Sequence, residues 1–79
     1  MGLMDEFQAR RLVSTYADMI LRLGMVYLKN RDDAEDVFQN VFLKYTLHPK
    51  TFESPEHEKA WLIRVTVNAC KDCLKNYFR

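Results

Sequence analysis

The chain has 79 residues, of which 48% are hydrophobic and 29% are charged, and its net charge is +1. This length allows one small domain, and the low content of glycine and proline (two of each) predicts a mostly helical fold. Two cysteines exclude a disulfide framework, and no apolar run is long enough for a membrane span.

The opening residues and the cysteine content indicate the compartment. Charged residues interrupt any early apolar run, so we expect no signal peptide; they are Asp5, Glu6, Arg10 and Arg11. A reducing environment is the default for a chain without a disulfide framework. We therefore expect a cytoplasmic protein that makes no contact with a membrane.

Charge is distributed unevenly along the chain. Residues 1–47 hold six basic and seven acidic side chains, whereas residues 59–79 hold five basic side chains and one acidic one. An acidic part beside a basic part is typical of a protein with two different partners. An ordinary uneven surface is the alternative explanation.

A first helix is predicted from about residue 5 to residue 28. Its apolar residues form two neighbouring stripes: Val13, Tyr16, Ala17, Ile20, Gly24, Tyr27 and Leu28 in one, and Leu12, Met19, Leu23 and Val26 in the other. An arc this wide implies contact with more than one helix. Glycine at position 24 costs roughly 1 kcal/mol relative to alanine, which indicates a close approach to another helix. We interpret this helix as scaffold.

A second helix is predicted over residues 33–46, with Asp32 as its N-cap and Glu35 completing the cap. Its buried face follows the helical spacing of three and four residues: Ala34, Val37, Phe38, Val41 and Tyr45. A neighbouring face carries acidic, amide and apolar groups: Asp36, Gln39, Asn40 and Leu43. We interpret it as a docking surface. For Asp36, an acid that only favours the positive end of the helix is an equal alternative.

The loop over residues 47–54 separates the second helix from a third helix over residues 55–77. Pro49 ends the second helix, while Ser54 and Pro55 are favourable N-cap and first-turn residues for the third. Recognition residues concentrate in loops on rigid helices, so Lys50, Thr51 and Phe52 are candidates. For Phe52, a ring folded back onto the core is an equal alternative.

The third helix has an inner stripe and an outer line. Leu62, Val65, Ala69 and Cys73 form the inner stripe; Trp61, Arg64, Asn68, Lys71 and Lys75 form the outer line. Cations neutralise phosphates, an amide can bond a base edge, and flat side chains stack on unpaired bases. The outer line therefore predicts a nucleic-acid surface. A solvated basic face is the alternative, and for Trp61 a ring partly buried in the core is a further one.

Two motifs carry a family resemblance over roughly residues 7–75. D-A-E-D-V-x-Q-x-x-F begins at Asp33, and W-L-x-x-x-x-x-N-x-x-x-D-x-L-K begins at Trp61. Together they resemble region 2 of the bacterial extracytoplasmic-function (ECF) sigma factors. The resemblance implies a compact all-α bundle of three long helices with a recognition loop between the second and third.

The resemblance also implies a function in transcription initiation. The second helix would grip the clamp helices of the beta-prime subunit of core RNA polymerase. The loop and Asn68 would bind the non-template strand of the minus-ten promoter element. Asp72 matches the family's acid; because a carboxylate repels phosphate, we expect it to order neighbouring cations and not to contact DNA. Lys75 departs from the family's usual arginine and loses its bidentate fork. Family members add a second domain for the minus-thirty-five element, and an anti-sigma factor is an expected partner.

Other functions find less support in the sequence. Cys70 and Cys73 lack a second pair of ligands for zinc, and we interpret both as small hydrophobic residues. We expect Cys73→Ser to destabilise the fold and Cys70→Ser to cost little. No catalytic set is present, so we expect neither an enzyme nor a cofactor or metal. A helical interaction module that does not recognise DNA is the main alternative.

Overall fold

Three α-helices that contact one another in every pair build the fold. The computed structural model describes residues 6–48 and 51–77, with α1 at Glu6–Leu28, α2 at Arg31–Thr46 and α3 at Pro55–Tyr77. No strand occurs in these two ranges. The predicted all-α bundle of three long helices is therefore confirmed. Lys50 of the predicted recognition loop lies outside the described residues, as does the predicted start of the first helix at residue 5.

One apolar core lies between the three helices. Its buried members are Leu12, Tyr16, Ile20, Val37, Val41, Leu62, Ala69 and Cys70. The predicted inner face of α2 is confirmed, because Ala34, Val37 and Val41 are buried while Phe38 and Tyr45 pack against the core from its edge. Trp61 also packs against the edge of the core, so part of its ring is buried and helps to stabilise the fold.

The predicted stripes of α1 and α3 need correction. Val13 is 44% exposed and Val26 is 70% exposed, although both were predicted to face neighbouring helices. In α3 the fully buried cysteine is Cys70, and Cys73 is only half-buried. Neighbouring stripes on a helix differ by a small rotation, so the spacing alone does not determine which of them points to the centre of the core.

A polar residue helps to explain the rotation of α3. Thr66 is fully buried, and its hydroxyl donates a 2.6 Å hydrogen bond to the Leu62 carbonyl oxygen one turn earlier. This bond removes most of the cost of burying the hydroxyl. Thr66 can therefore lie between Leu62 and Cys70 on the innermost line of the helix, a position that an apolar pattern does not predict.

The two helix starts are capped by different kinds of residue. Asn30 is the N-cap of α2: its side-chain oxygen accepts a 3.1 Å hydrogen bond from the Asp33 backbone N–H. The prediction of Asp32 as N-cap is wrong, because the amide of Asn30 already fills that role and the helix starts two residues earlier than predicted. At α3 the predicted cap is confirmed, since the Ser54 hydroxyl oxygen accepts from the His57 N–H at 3.1 Å.

Candidate functional site

The outer face of α2 points away from the core. Asp36, Gln39, Asn40 and Leu43 are all exposed, and Leu43 keeps 56% of its surface accessible. Asp36 and Leu43 each lie three or four positions from Gln39 and Asn40, so the four residues form one continuous face of the helix. The structure thus brings the four predicted docking residues together on a surface that no other helix of the described chain covers.

Leu47 extends this face and was missed by sequence reasoning. It is 63% exposed and follows Leu43 by one turn, and its backbone N–H donates to the Leu43 carbonyl oxygen at 3.1 Å. Its backbone is still right-handed helical at the C-cap, so its side chain continues the same face. The spacing of four residues from Leu43 was the available signal. Two exposed leucines now end a face that begins with an acid.

The outer face of α3 carries the predicted basic line. Arg64, Asn68, Lys71 and Lys75 are exposed, on the side of the helix opposite Leu62. α3 therefore holds three cations and an amide on one exposed face. Asp72 is also exposed, between the cations in sequence. Trp61, the first residue of the line, differs from the rest because it is half-buried.

An aromatic cluster joins the loop to α2 and α3; its members are Tyr45, His48, Phe52, His57 and Trp61. The Phe52 ring stacks on His48 with 4.6 Å between centroids and lies 5.5 Å from the Trp61 ring. Phe52 is therefore half-buried and folds back onto this cluster, while its role in binding DNA stays a prediction. Thr51, in contrast, is exposed. Neither histidine was predicted to belong to this site.

A buried carboxylate lies beneath the aromatic cluster. Glu58 of α3 is only 5% exposed, and its oxygens accept hydrogen bonds from the hydroxyls of Tyr45 at 2.6 Å and Tyr16 at 3.0 Å. Arg11 of α1 adds a 2.8 Å ion pair. All three helices therefore meet at one carboxylate. Sequence reasoning missed Glu58, although its spacing of four residues from Leu62 placed it on the buried line.

The surroundings of Glu58 favour its charged form. Burial by itself would raise the pKa of this carboxyl, but the hydrogen bonds from Tyr45, Arg11 and Tyr16 and the charge of Arg11 outweigh it, so the pKa lies below its ordinary value of 4.5. Burial, together with the hydrogen bond to Glu58, raises the pKa of Tyr45 to about 12. At neutral pH a charged carboxylate is thus held by a neutral tyrosine hydroxyl.

The cysteine pair offers little reactivity. Burial, together with the nearby Cys73, raises the pKa of the Cys70 thiol. Burial and the carboxylates of Asp33 and Asp36 raise the pKa of Cys73. Both thiols therefore stay protonated at neutral pH, which disfavours nucleophilic chemistry. Among the described residues, no three His, Cys, Asp or Glu side chains come together in an arrangement that could hold a metal ion.

Comparison with known proteins identifies the family. The sigma-70 region 2 family matches residues 12–78. The chain belongs to this family. The resemblance predicted from the two motifs is thereby confirmed.

A curated relative agrees with this assignment. RNA polymerase sigma factor SigV of Bacillus subtilis is 35% identical to this region 2 chain over 54 residues, which cover 68% of the chain and 32% of SigV. The chain thus spans about a third of the length of that relative. No solved structure gives a significant match. Within the described residues, no helix is long and apolar enough to cross a membrane.

Proposed function

We propose that this region 2 chain recognises and opens the minus-ten promoter element as part of an ECF sigma factor bound to core RNA polymerase. The observation that carries the proposal is the exposed line of Arg64, Asn68, Lys71 and Lys75 beside an aromatic cluster, in a chain of the sigma-70 region 2 family. Cations, an amide and flat rings are the groups that bind single-stranded nucleic acid.

In this proposal the two outer faces have separate tasks. The α2 face, from Asp36 to Leu43, docks on the beta-prime clamp helices of the polymerase; its exposed leucine supplies apolar contact and its acid and amides supply polar contact. The α3 face then meets the promoter. Polymerase holds the domain against the DNA, so weak contacts by α3 are sufficient.

Strand opening requires no bond chemistry. The basic residues of α3 attract phosphates without regard to sequence, while the Asn68 amide can bond a base edge. Bases of the non-template strand that stack on exposed parts of Trp61 and the loop repay the few kcal/mol that unpairing costs. Lys75 attracts phosphate as a point charge but cannot make the paired hydrogen bonds of an arginine.

The proposal extends to the protein that contains this domain. SigV is described as an RNA polymerase sigma factor, and this chain matches about a third of it. We therefore propose a cytoplasmic protein of the same kind, in which further segments bind the minus-thirty-five element and an anti-sigma factor controls access to the polymerase.

Fluorescence anisotropy with labelled oligonucleotides tests the DNA part. The chain should bind single-stranded non-template DNA in preference to the same sequence as duplex. Lys71→Ala should weaken binding to every sequence and flatten the salt dependence by up to about 0.7 in slope. Asn68→Ala should lose roughly 1–3 kcal/mol on the preferred sequence only. Lys44→Ala, an exposed lysine of α2, is the charge-matched control.

Two results would contradict the proposal. Equal losses on every oligonucleotide for Asn68→Ala would mean that α3 attracts DNA without recognising its sequence. Polymerase binding with no affinity for single-stranded DNA would favour the alternative, a helical interaction module without DNA recognition.

A further inference from the structure

One tyrosine connects the buried carboxylate to the aromatic cluster. The Tyr45 hydroxyl donates to Glu58 at 2.6 Å, while the Tyr45 ring stacks on Phe52 at 5.9 Å and meets the edge of Trp61 at 6.2 Å between centroids. The same side chain therefore touches a charge in the interior and two rings at the surface. Both ends of its ring are held, which leaves its two side-chain torsions little freedom.

The Glu58 carboxylate, which binds the Tyr45 hydroxyl, is also held by two residues of α1. Arg11 and Tyr16, both on α1, bind Glu58 at 2.8 Å and 3.0 Å. The Arg11 guanidinium also donates to the Tyr45 hydroxyl at 3.4 Å. Because Glu58 is nearly buried and has three donors, the position of the Tyr45 hydroxyl is set by the core and not by the loop.

The loop adds its own attachment to the same region. The Glu53 backbone N–H donates to the Nδ1 atom of the His57 ring at 3.3 Å. The backbone N–H of His57 donates to the Ser54 hydroxyl oxygen at 3.1 Å. The His57 ring in turn meets Phe52 edge-on at 5.4 Å. Phe52 is therefore held from the α3 side by His57 and from the α2 side by Tyr45.

We propose that Tyr45 is a positioning residue: through its hydrogen bond to Glu58 it fixes the rings of Phe52 and Trp61 in advance as a stacking surface for an unpaired base. This inference rests on the proposed function and adds a residue that is not itself in the DNA-facing line. A surface ordered before binding avoids the entropy cost of ordering side chains on contact, which corresponds to roughly two- to tenfold in affinity.

Tyr45→Phe tests the proposal, with Tyr16→Phe as the matched control. Each substitution removes one hydroxyl that bonds Glu58 and keeps the ring, but only the Tyr45 ring belongs to the aromatic cluster. Trp61 is the single tryptophan of the chain, so quenching of its fluorescence by acrylamide reports on the cluster without any DNA. Anisotropy with preferred and non-preferred single-stranded oligonucleotides reports on base binding.

Tyr45→Phe should increase acrylamide quenching of Trp61 and lower affinity for the preferred oligonucleotide roughly two- to tenfold, with an unchanged salt dependence. Tyr16→Phe should lower stability without either effect. Equal effects of the two variants, or unchanged quenching in Tyr45→Phe, would overturn the positioning role. Altered quenching with unaltered affinity for single-stranded DNA would overturn its link to DNA. If the unsubstituted chain bound no single-stranded DNA, the proposed function would fail, while the quenching comparison would still decide whether Tyr45 orders the cluster.

Discussion

Gly24 of α1 lies directly against Ala34 of α2: a Cβ atom added at Gly24 would stand 2.8 Å from the Ala34 Cβ and 3.0 Å from its Cα. Real Cβ atoms do not approach this closely. The close helix–helix approach predicted from an isolated glycine in an apolar pattern is thereby confirmed. The contact brings the two helices together at the end where a two-residue turn joins them.

Gly24→Ala should therefore destabilise the fold, although alanine is the better helix former. The gain in helix propensity is about 1 kcal/mol, whereas forcing extra atoms into a packed contact costs about 1–3 kcal/mol. The neighbouring atoms belong partly to backbone and cannot move aside. Urea unfolding followed by circular dichroism measures the difference. Adding Ala34→Gly should recover part of the loss, and a single variant more stable than the parent would contradict the packing argument.

Glu58 should make stability depend on acidity. Its folded pKa lies below the ordinary 4.5 because the hydrogen bonds and the Arg11 charge outweigh burial. A carboxylate with a depressed pKa contributes its stability in full above the unfolded pKa, and the contribution is lost as pH falls through the folded pKa. Urea midpoints should therefore be steady near neutral pH and fall below about pH 4.5.

Glu58→Gln isolates this effect from the other carboxylates. At pH 7 the substitution removes charge-assisted hydrogen bonds and should cost about 1.5–3 kcal/mol. The gap between the variant and the parent should narrow as the pH falls below 4.5 and the parent carboxyl becomes protonated. Urea midpoints measured about every half pH unit, from roughly pH 3 to pH 7, test whether the gap narrows in this way. Parallel curves for the two proteins would show that the ionisation of Glu58 does not stabilise the fold.

The sequence predicted that Cys73→Ser would destabilise the fold more than Cys70→Ser, and the structure reverses this order. Cys70 is 0% exposed and Cys73 is half-buried, so Cys70→Ser should be the costlier change, at about 1–3 kcal/mol for a hydroxyl placed in an apolar site. Iodoacetamide should label Cys73 faster than Cys70 in the folded chain. Faster labelling of Cys70, or a larger loss of stability for Cys73→Ser, would contradict the burial of these side chains.

Features set by local patterns were predictable, and features set by contacts between helices were not. The face of α2 that begins at Ala34, the cap at Ser54 and the packing glycine all follow from spacing or residue type within one segment. The hydrogen bonds of Glu58 join residues 42 and 47 positions apart. They depend on how α1 and α3 are rotated against each other, and no local pattern determines that rotation.

The same reason explains what the sequence left open or wrong at the candidate site. Sequence reasoning left the Phe52 ring open between exposed and folded back, because its partners come from both helices that flank the loop. Cys70 and Cys73 lie on adjacent lines of α3, and the innermost line runs through Leu62, Thr66 and Cys70. Exposed faces were easier to predict, because charged and amide side chains repeated at helical spacing are rarely buried.

The outer face of α2 can be tested separately from the DNA-facing helix. Asp36→Ala combined with Gln39→Ala should leave the unfolding free energy within about 0.5 kcal/mol of the parent, because exposed substitutions rarely do more. Binding to core RNA polymerase in a pulldown should nevertheless fall sharply if this face docks. Leu43→Ala and Leu47→Ala should each add to the loss, since each removes exposed apolar surface. Asp18→Ala, at an exposed acid of α1, is the matched control and should be retained like the parent.

The two leucines separate the docking interpretation from its alternative. If Asp36 only favoured the positive end of its helix, Asp36→Ala would lower stability slightly and leave polymerase binding unchanged. Docking through apolar contact predicts the opposite result for Leu43: no loss of stability, because more than half of its surface is exposed, but a clear loss of retention. Full retention of the Leu43 and Leu47 variants, together with that of the Asp36–Gln39 variant, would remove this face from the polymerase interface.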